Sequence, residues 1–332
     1  MRSSQRWRWP RMLGGLAIVV TVLLAWGLRP FHEAARRIDL PLLLLALGIG
    51  AVTTLFAAWR WTLVAAGLGA RLPLSSAVAG CYRSQLLNST LPGGVLGDVH
   101  RGARHGPPAD GAGLGLRTVW WERTAGQLVQ AGATVAAVLL VPTALRPPRP
   151  VVLTIVAGIA VLVAVAAVLR RRDRAPSPAR GAVRVVIADV RHGLLGPAWP
   201  GVLLASVVIV TGHWLTFVLA AQAAGSTASV RTLLPTGLLV LVASAVPLNF
   251  AGWGPREGGA AAIFGAAGLG ASDGVTVAAL YGLLALAATA PGLLVLVVDA
   301  WRRFVGREPA GSPWAIRGRV PVPVRAGGGT RG

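Results

Sequence analysis

Lysine is absent from this chain, and acid is scarce. Eleven Asp and Glu stand against 32 basic residues, all of them Arg, for a net charge of +21. Charged residues make up only 13% of the chain, about half the share of an ordinary soluble domain. That shortage, with 54% hydrophobic residues, excludes a soluble globular fold. Cys81 is the single cysteine, which excludes an intrachain disulfide and a Cys-based metal site. No Gly-x-x-x-x-Gly-Lys-Ser/Thr signature is present, so no nucleotide-driven pump is predicted. No acidic pair lies at metal-ligand spacing, and neither a metal nor a cofactor is expected. The exclusive use of Arg reads as the coding bias of a GC-rich genome.

What is present is apolar sequence in long runs. Several windows of 17–25 nearly uncharged residues can be marked, each long enough for a hydrocarbon core of about 30 Å. The expected fold class is all-α: a polytopic membrane protein with about eight transmembrane helices and one or two broken or re-entrant segments. So basic a chain suggests nucleic acid at first sight. Its Arg residues, however, cluster in short loops and tails beside the apolar runs, where the positive-inside rule puts them. Membrane lipids, not nucleic acid, are therefore the expected partners.

The order of segments follows from these signals. Residues 1–11 form a basic, Trp-containing interfacial anchor on the cytoplasmic side. One membrane domain spans 12–303. Its first run, 12–28, lacks a small-x-small cleavage signal and reads as an uncleaved anchor. A second span covers 40–68, with Arg60 and Trp61 near its end taken as interfacial. Residues 72–91 read as a half-helix and 102–116 as a Gly/Pro-rich loop. Further spans are expected at 117–141, 151–169, 199–224, 233–246, 260–269 and 275–298. The basic loop 170–197 is placed in the cytoplasm, with 183–195 able to form a surface helix. The Arg/Gly/Pro-rich tail 304–332 reads as disordered. Eight crossings and one hairpin around 72–100 then put both termini in the cytoplasm, in the cell membrane.

Two stretches break the apolar pattern. The first runs from Asn88 through Pro92, Gly93 and Gly94 to Asp98 and Arg101. Pro92 removes a backbone donor, and the glycines permit angles other residues avoid. In a bilayer, such backbone survives where it is buried in protein or lines a wet cavity. The second runs from Asn249 through Gly252, Gly254 and Pro255 to Arg256 and Glu257. Their similar layout, 161 residues apart, suggests an internal repeat of the kind transporters use. Between them, Glu122 and Arg123 open another span. Charge inside a membrane segment is a site hypothesis by default. Asn88, Asp98, Arg101, Glu122, Arg123, Asn249, Arg256 and Glu257 are therefore the candidate substrate-binding residues. Pro92, Gly93, Gly94, Gly252, Gly254 and Pro255 are the candidate hinges. Each acid-Arg cluster can equally be a structural ion pair, and both asparagines can satisfy freed backbone. Arg83 reads as part of the hairpin or as snorkelling to the interface. His213 reads as packing, with proton coupling the lesser alternative.

Three pieces in order resemble the transmembrane-region family of lysylphosphatidylglycerol synthases, also described as flippase-like membrane proteins. They are Asn88-Ser89-Thr90-Leu91-Pro92-Gly93-Gly94 continuing to Arg101, the Glu122-Arg123-x-x-Gly126 step, and Pro247 to Gly258. The resemblance implies a lipid translocator without the soluble synthase domain. It would move a phospholipid or polyprenyl-phosphate-linked lipid between leaflets. Its intramembrane Arg residues would hold the headgroup phosphate, since the planar guanidinium fork matches phosphate oxygens. The alternatives are a membrane enzyme acting on a lipid-linked substrate, and an envelope scaffold or regulator.

Overall fold

A computed structural model describes residues 20–21, 23–24, 27–91, 94–104, 112–141, 185–246, 252–305 and 315–316. The described residues are helical almost throughout. The expected spans at 12–28, for the most part, and at 151–169 lie outside them. So do Pro92, Gly93 and Asn249, and all of the tail beyond 305 except 315–316.

Short helix α1, Arg29–Arg36, lies between the first two expected spans. Pro30 in its first turn starts it, where a missing N–H costs nothing. Helix α2, Leu40–Gly67, begins where the Asp39 carboxylate accepts the Leu42 N–H at 2.8 Å and Pro41 fixes the first turn. Its 28 residues extend about 42 Å, more than the bilayer core requires. Helix α3, Leu74–Thr90, and helix α4, Leu96–Arg104, form the expected hairpin on either side of the first break.

Helix α5, Ala112–Leu140, starts five residues before the expected position, so the loop of 102–116 is shorter than its Gly and Pro content suggested. Residues 185–189 are helical and pass into a π turn, Val190–Leu194. This piece is not a free surface helix. Buried Asp189 accepts two bonds from the Arg117 guanidinium and one from Trp121 Nε1 at 2.9 Å, which docks it on α5.

Helices α6, Trp199–Ala223, and α7, Val230–Ser244, follow the expected spans closely. After the second break come α8, Pro255–Ala266, then α9, Ala271–Ala288, and α10, Pro291–Phe304. The last expected span is thus two helices, interrupted where Pro291 cannot continue the ladder of α9. A two-residue bridge joins Ala70–Arg71 (β1) to Ala315–Ile316 (β2), so the tail is paired at that point.

Among the described residues, three stretches are long and apolar enough to cross a membrane by themselves: Leu40–Gly67, Trp199–Ala223 and Ala271–Arg302. Their outward leucines stay uncovered, Leu44 at 58% and Leu293 at 60%, as lipid-facing side chains should. The main core lies among α6, α7, α8 and α9, where Phe217 meets Phe264 and Tyr281 at ring distances of 6.2 and 6.1 Å. Lipid tails are as apolar as leucine, so helices associate through close packing and polar contacts instead. Gly50 seats α2 against Ala288 of α9, and Gly292 seats α10 against the Tyr82 carbonyl of α3.

Candidate functional site

Glu122 is the centre of the charged interior. It is 2% exposed and holds two guanidiniums. Its Oε1 accepts Arg60 Nη2 at 2.6 Å and Nε at 3.1 Å, and its Oε2 accepts Arg101 Nη2 at 2.9 Å. Arg60 comes from α2, Arg101 from α4 and Glu122 from α5, so one carboxylate ties three helices together. Arg60 also donates to Ser206 Oγ on α6 at 2.9 Å. A side chain at Gly126, one turn beyond Glu122, would fall 2.7 Å from Arg60 Nη1, so that glycine makes room for the guanidinium.

Arg60 and Trp61 correct the sequence reading. Both are buried, at 5% and 0% exposure, and neither is interfacial. Trp61 donates to Thr118 Oγ1 at 3.1 Å and carries the Arg101 guanidinium 4.4 Å over its ring. A charge two-thirds of the way along an apolar run was a sufficient signal for Arg60; the adjacent Trp suggested an interface instead. Arg83 does not snorkel. It is buried and pairs with Asp299 of α10 at 2.6 Å, with Arg104 at 3.4 Å from the same carboxylate.

Asp98 forms the second group. Its carboxylate accepts Ser84 Oγ at 2.7 Å and Asn88 Nδ2 at 3.0 Å, and it pairs with Arg101 at 3.3 Å and Arg123 at 2.6 Å. Asp98 and Arg101, three residues apart, share one face of α4. Adjacent residues on α5 point about 100° apart, so Glu122 turns to Arg60 and Arg101 while Arg123 turns to Asp98. Asn88 serves the backbone: its Oδ1 accepts the Gly97 N–H at 2.8 Å, closing the hairpin. Three guanidiniums against two carboxylates leave this cluster with one net positive charge. Arg123 shows most of it, with 47% of its side chain exposed against 4% for Arg101.

The second break supplies Arg256 and Glu257. Gly254, at φ +120°, gives its N–H to Glu257 Oε2 at 2.7 Å. The start of α8 is therefore capped at that N–H by its own carboxylate, with Pro255 in its first turn. Glu257 also holds Arg256 at 2.6 Å. The Arg256 guanidinium stacks 5.1 Å from Trp253 and 5.6 Å from Tyr281, over Gly282. Tyr281 in turn meets His213 Nδ1 at 3.1 Å.

Both breaks open onto one cavity of about 350 Å³. A side chain at Gly252 would lie 3.2 Å from the Ser89 carbonyl, so the two irregular stretches touch. Arg60, Arg101, Arg123 and Arg256 line the space, as do Asn88 and Gly94; among the described residues Glu122 is the one carboxylate that lines it, and Asp98 and Glu257 pair with the arginines from behind. No group of three His, Cys, Asp or Glu able to hold a metal occurs among the described residues.

The broken hairpin, the early Glu-Arg step and the second Gly-Pro break all lie within a stretch that matches one membrane family. The family model for the lysylphosphatidylglycerol synthase transmembrane region matches residues 12–292. The chain belongs to that family. No curated protein and no solved structure gives a significant match. The matched region contains all eight candidate binding residues of this synthase-region protein. The structure brings seven of them to or directly behind the cavity wall, and Asn249 lies outside the described residues. Arg60, read from the sequence as interfacial, and His213, read as packing, join the site together with Ser206 and Tyr281, which the apolar sequence around them left unmarked.

Proposed function

We propose that this protein moves a phosphate-headed lipid, a phospholipid or a polyprenyl-phosphate-linked lipid, between the leaflets of a bacterial cell membrane. The observation that supports this most is the cavity itself. Four arginines from α2, α4, α5 and α8 face it, with one carboxylate among them. Arginine forks offer a phosphate paired, charge-assisted donors. The matching carboxylates, two of them behind the wall, keep the empty site from carrying four uncompensated charges, which would be prohibitive in a low-dielectric interior. An excess of one positive charge suits a monoanionic phosphodiester that must bind and then leave. Its membrane setting is eight crossings with both termini cytoplasmic.

Leaflet exchange in liposomes tests the reading. Purified protein should accelerate exchange of labelled phosphatidylglycerol. Arg123→Gln, which removes the most accessible guanidinium, should abolish that exchange while leaving the protein folded. Exchange by Arg123→Gln at the wild-type rate would remove the arginines from the mechanism. Chemical turnover of the lipid in detergent would favour an enzyme instead.

A further inference from the structure

The charged cavity has an apolar neighbour. A groove of about 880 Å³ runs between α2 and α6, from Pro41 to Thr53 on one helix and from Val207 to Leu215 on the other. Its walls face outward: Leu44 is 58% exposed and Val52 48%. Polar demand inside it is low. The Thr53 hydroxyl donates to the Gly50 carbonyl of its own helix at 3.0 Å, leaving its methyl to the contact with α6. Along α2 the groove covers twelve residue steps, about 18 Å. That is close to one leaflet's share of a hydrocarbon core about 30 Å thick.

Groove and cavity lie back to back across α2 and α6. Ile49 and Thr53 line both. Gly212 lines the groove while the next residue, His213, lines the cavity. A side chain on Gly212 would fall 2.3 Å from Thr53 Cγ2, so the wall between the two spaces is one residue thick there. The outer face of α10 is as apolar, with Leu293 60% exposed and Leu294 66%, yet none of its residues lines the cavity.

Resting on the reading that the cavity takes a lipid phosphate, we propose that this groove holds an acyl chain of the same lipid molecule. The headgroup would pass inside while the chain stays in hydrocarbon, bent across the seam at Ile49 and Thr53. An acyl chain fits because the groove is one leaflet long. No part of the tail then crosses the arginine-lined space, where its methylenes would meet water and charge.

Gly48 gives a clean probe. It lines the groove, and a Cβ built there meets nothing within 4 Å, so a side chain added there starts in open space. The experiment uses the full chain in liposomes containing phosphatidylglycerol with a photoactivatable diazirine midway along one acyl chain. Residues 41–53 and 207–215 should be labelled severalfold more than 293–298. Arg123→Gln should bring groove labelling down to the α10 level without changing labelling at α10. Gly48→Trp should lose groove labelling and slow leaflet exchange, yet still bind soluble glycerol phosphate as the wild type does. Equal labelling of groove and α10 in the wild type, or wild-type exchange by Gly48→Trp, would overturn the proposal while leaving translocation standing. Labelling of the groove that depends on Arg123, with no exchange by the wild type, would support the groove and sink translocation.

Discussion

At the scale of residues, the site is a set of charges whose partners come from elsewhere in the chain. Glu122 pairs with Arg60 and Arg101 at once, both nearly inaccessible. Removing one member of a buried pair leaves the other uncompensated, typically at a cost of about 3–5 kcal/mol. Glu122→Gln is therefore expected to lower the unfolding midpoint in detergent sharply. Arg123→Gln, at a half-exposed position, should leave that midpoint nearly unchanged; equal midpoints for the two variants would contradict the assignment of Glu122 as the structural centre. Asp98, Arg101, Glu122 and Arg123 were legible in the sequence because charge is rare in apolar surroundings. The split of roles within each pair was not legible. Adjacent side chains on a helix face different directions, and which neighbour waits in each direction is set by packing.

At the scale of elements, the broken hairpin of α3 and α4 depends on close approach. A methyl at Gly97 would fall 2.2 Å from the Ser84 carbonyl, a backbone atom that cannot swing aside. Gly97→Ala should force the two helices apart, costing about 1–3 kcal/mol as overpacking does. Faster cleavage by protease near residues 91–96 would report it. Gly132→Ala is the contrast. It lies within α5 with nothing near its missing side chain, so helix propensity alone should add about 0.5–1 kcal/mol. A destabilised Gly132→Ala would mean that α5 packs differently there. The Pro and Gly breaks were readable from the sequence because they act on the backbone of their own segment. The stop at Pro291 passed unnoticed because the apolar run continues across it, although proline cannot.

For the whole molecule, orientation is the open quantity, and the Arg-rich segments predict it. A cysteine at Ser177, in the basic loop of 170–197, should react with an impermeant maleimide only after cells are permeabilised. One at Thr143 should react on intact cells. Native Cys81 is 1% exposed and accepts the Arg101 Nη1–H at 3.0 Å, so it adds no background. Reversed labelling would invert the topology.

The sequence by itself determined that this chain lives in a bilayer, that it is helical, and that its backbone breaks at two Gly/Pro stretches. Hydrocarbon leaves the backbone no other partners than its own, so those conclusions need no knowledge of neighbours. Only the tertiary structure decided that Arg60 lines the cavity, that Asn88 closes a hairpin at the cavity wall, and that the two breaks meet at Ser89 and Gly252. Helices apolar all round carry no periodic signal of which face turns inward. Arg60 and Glu122 find each other across 62 residues of such sequence, and that choice is made by the packing of whole helices.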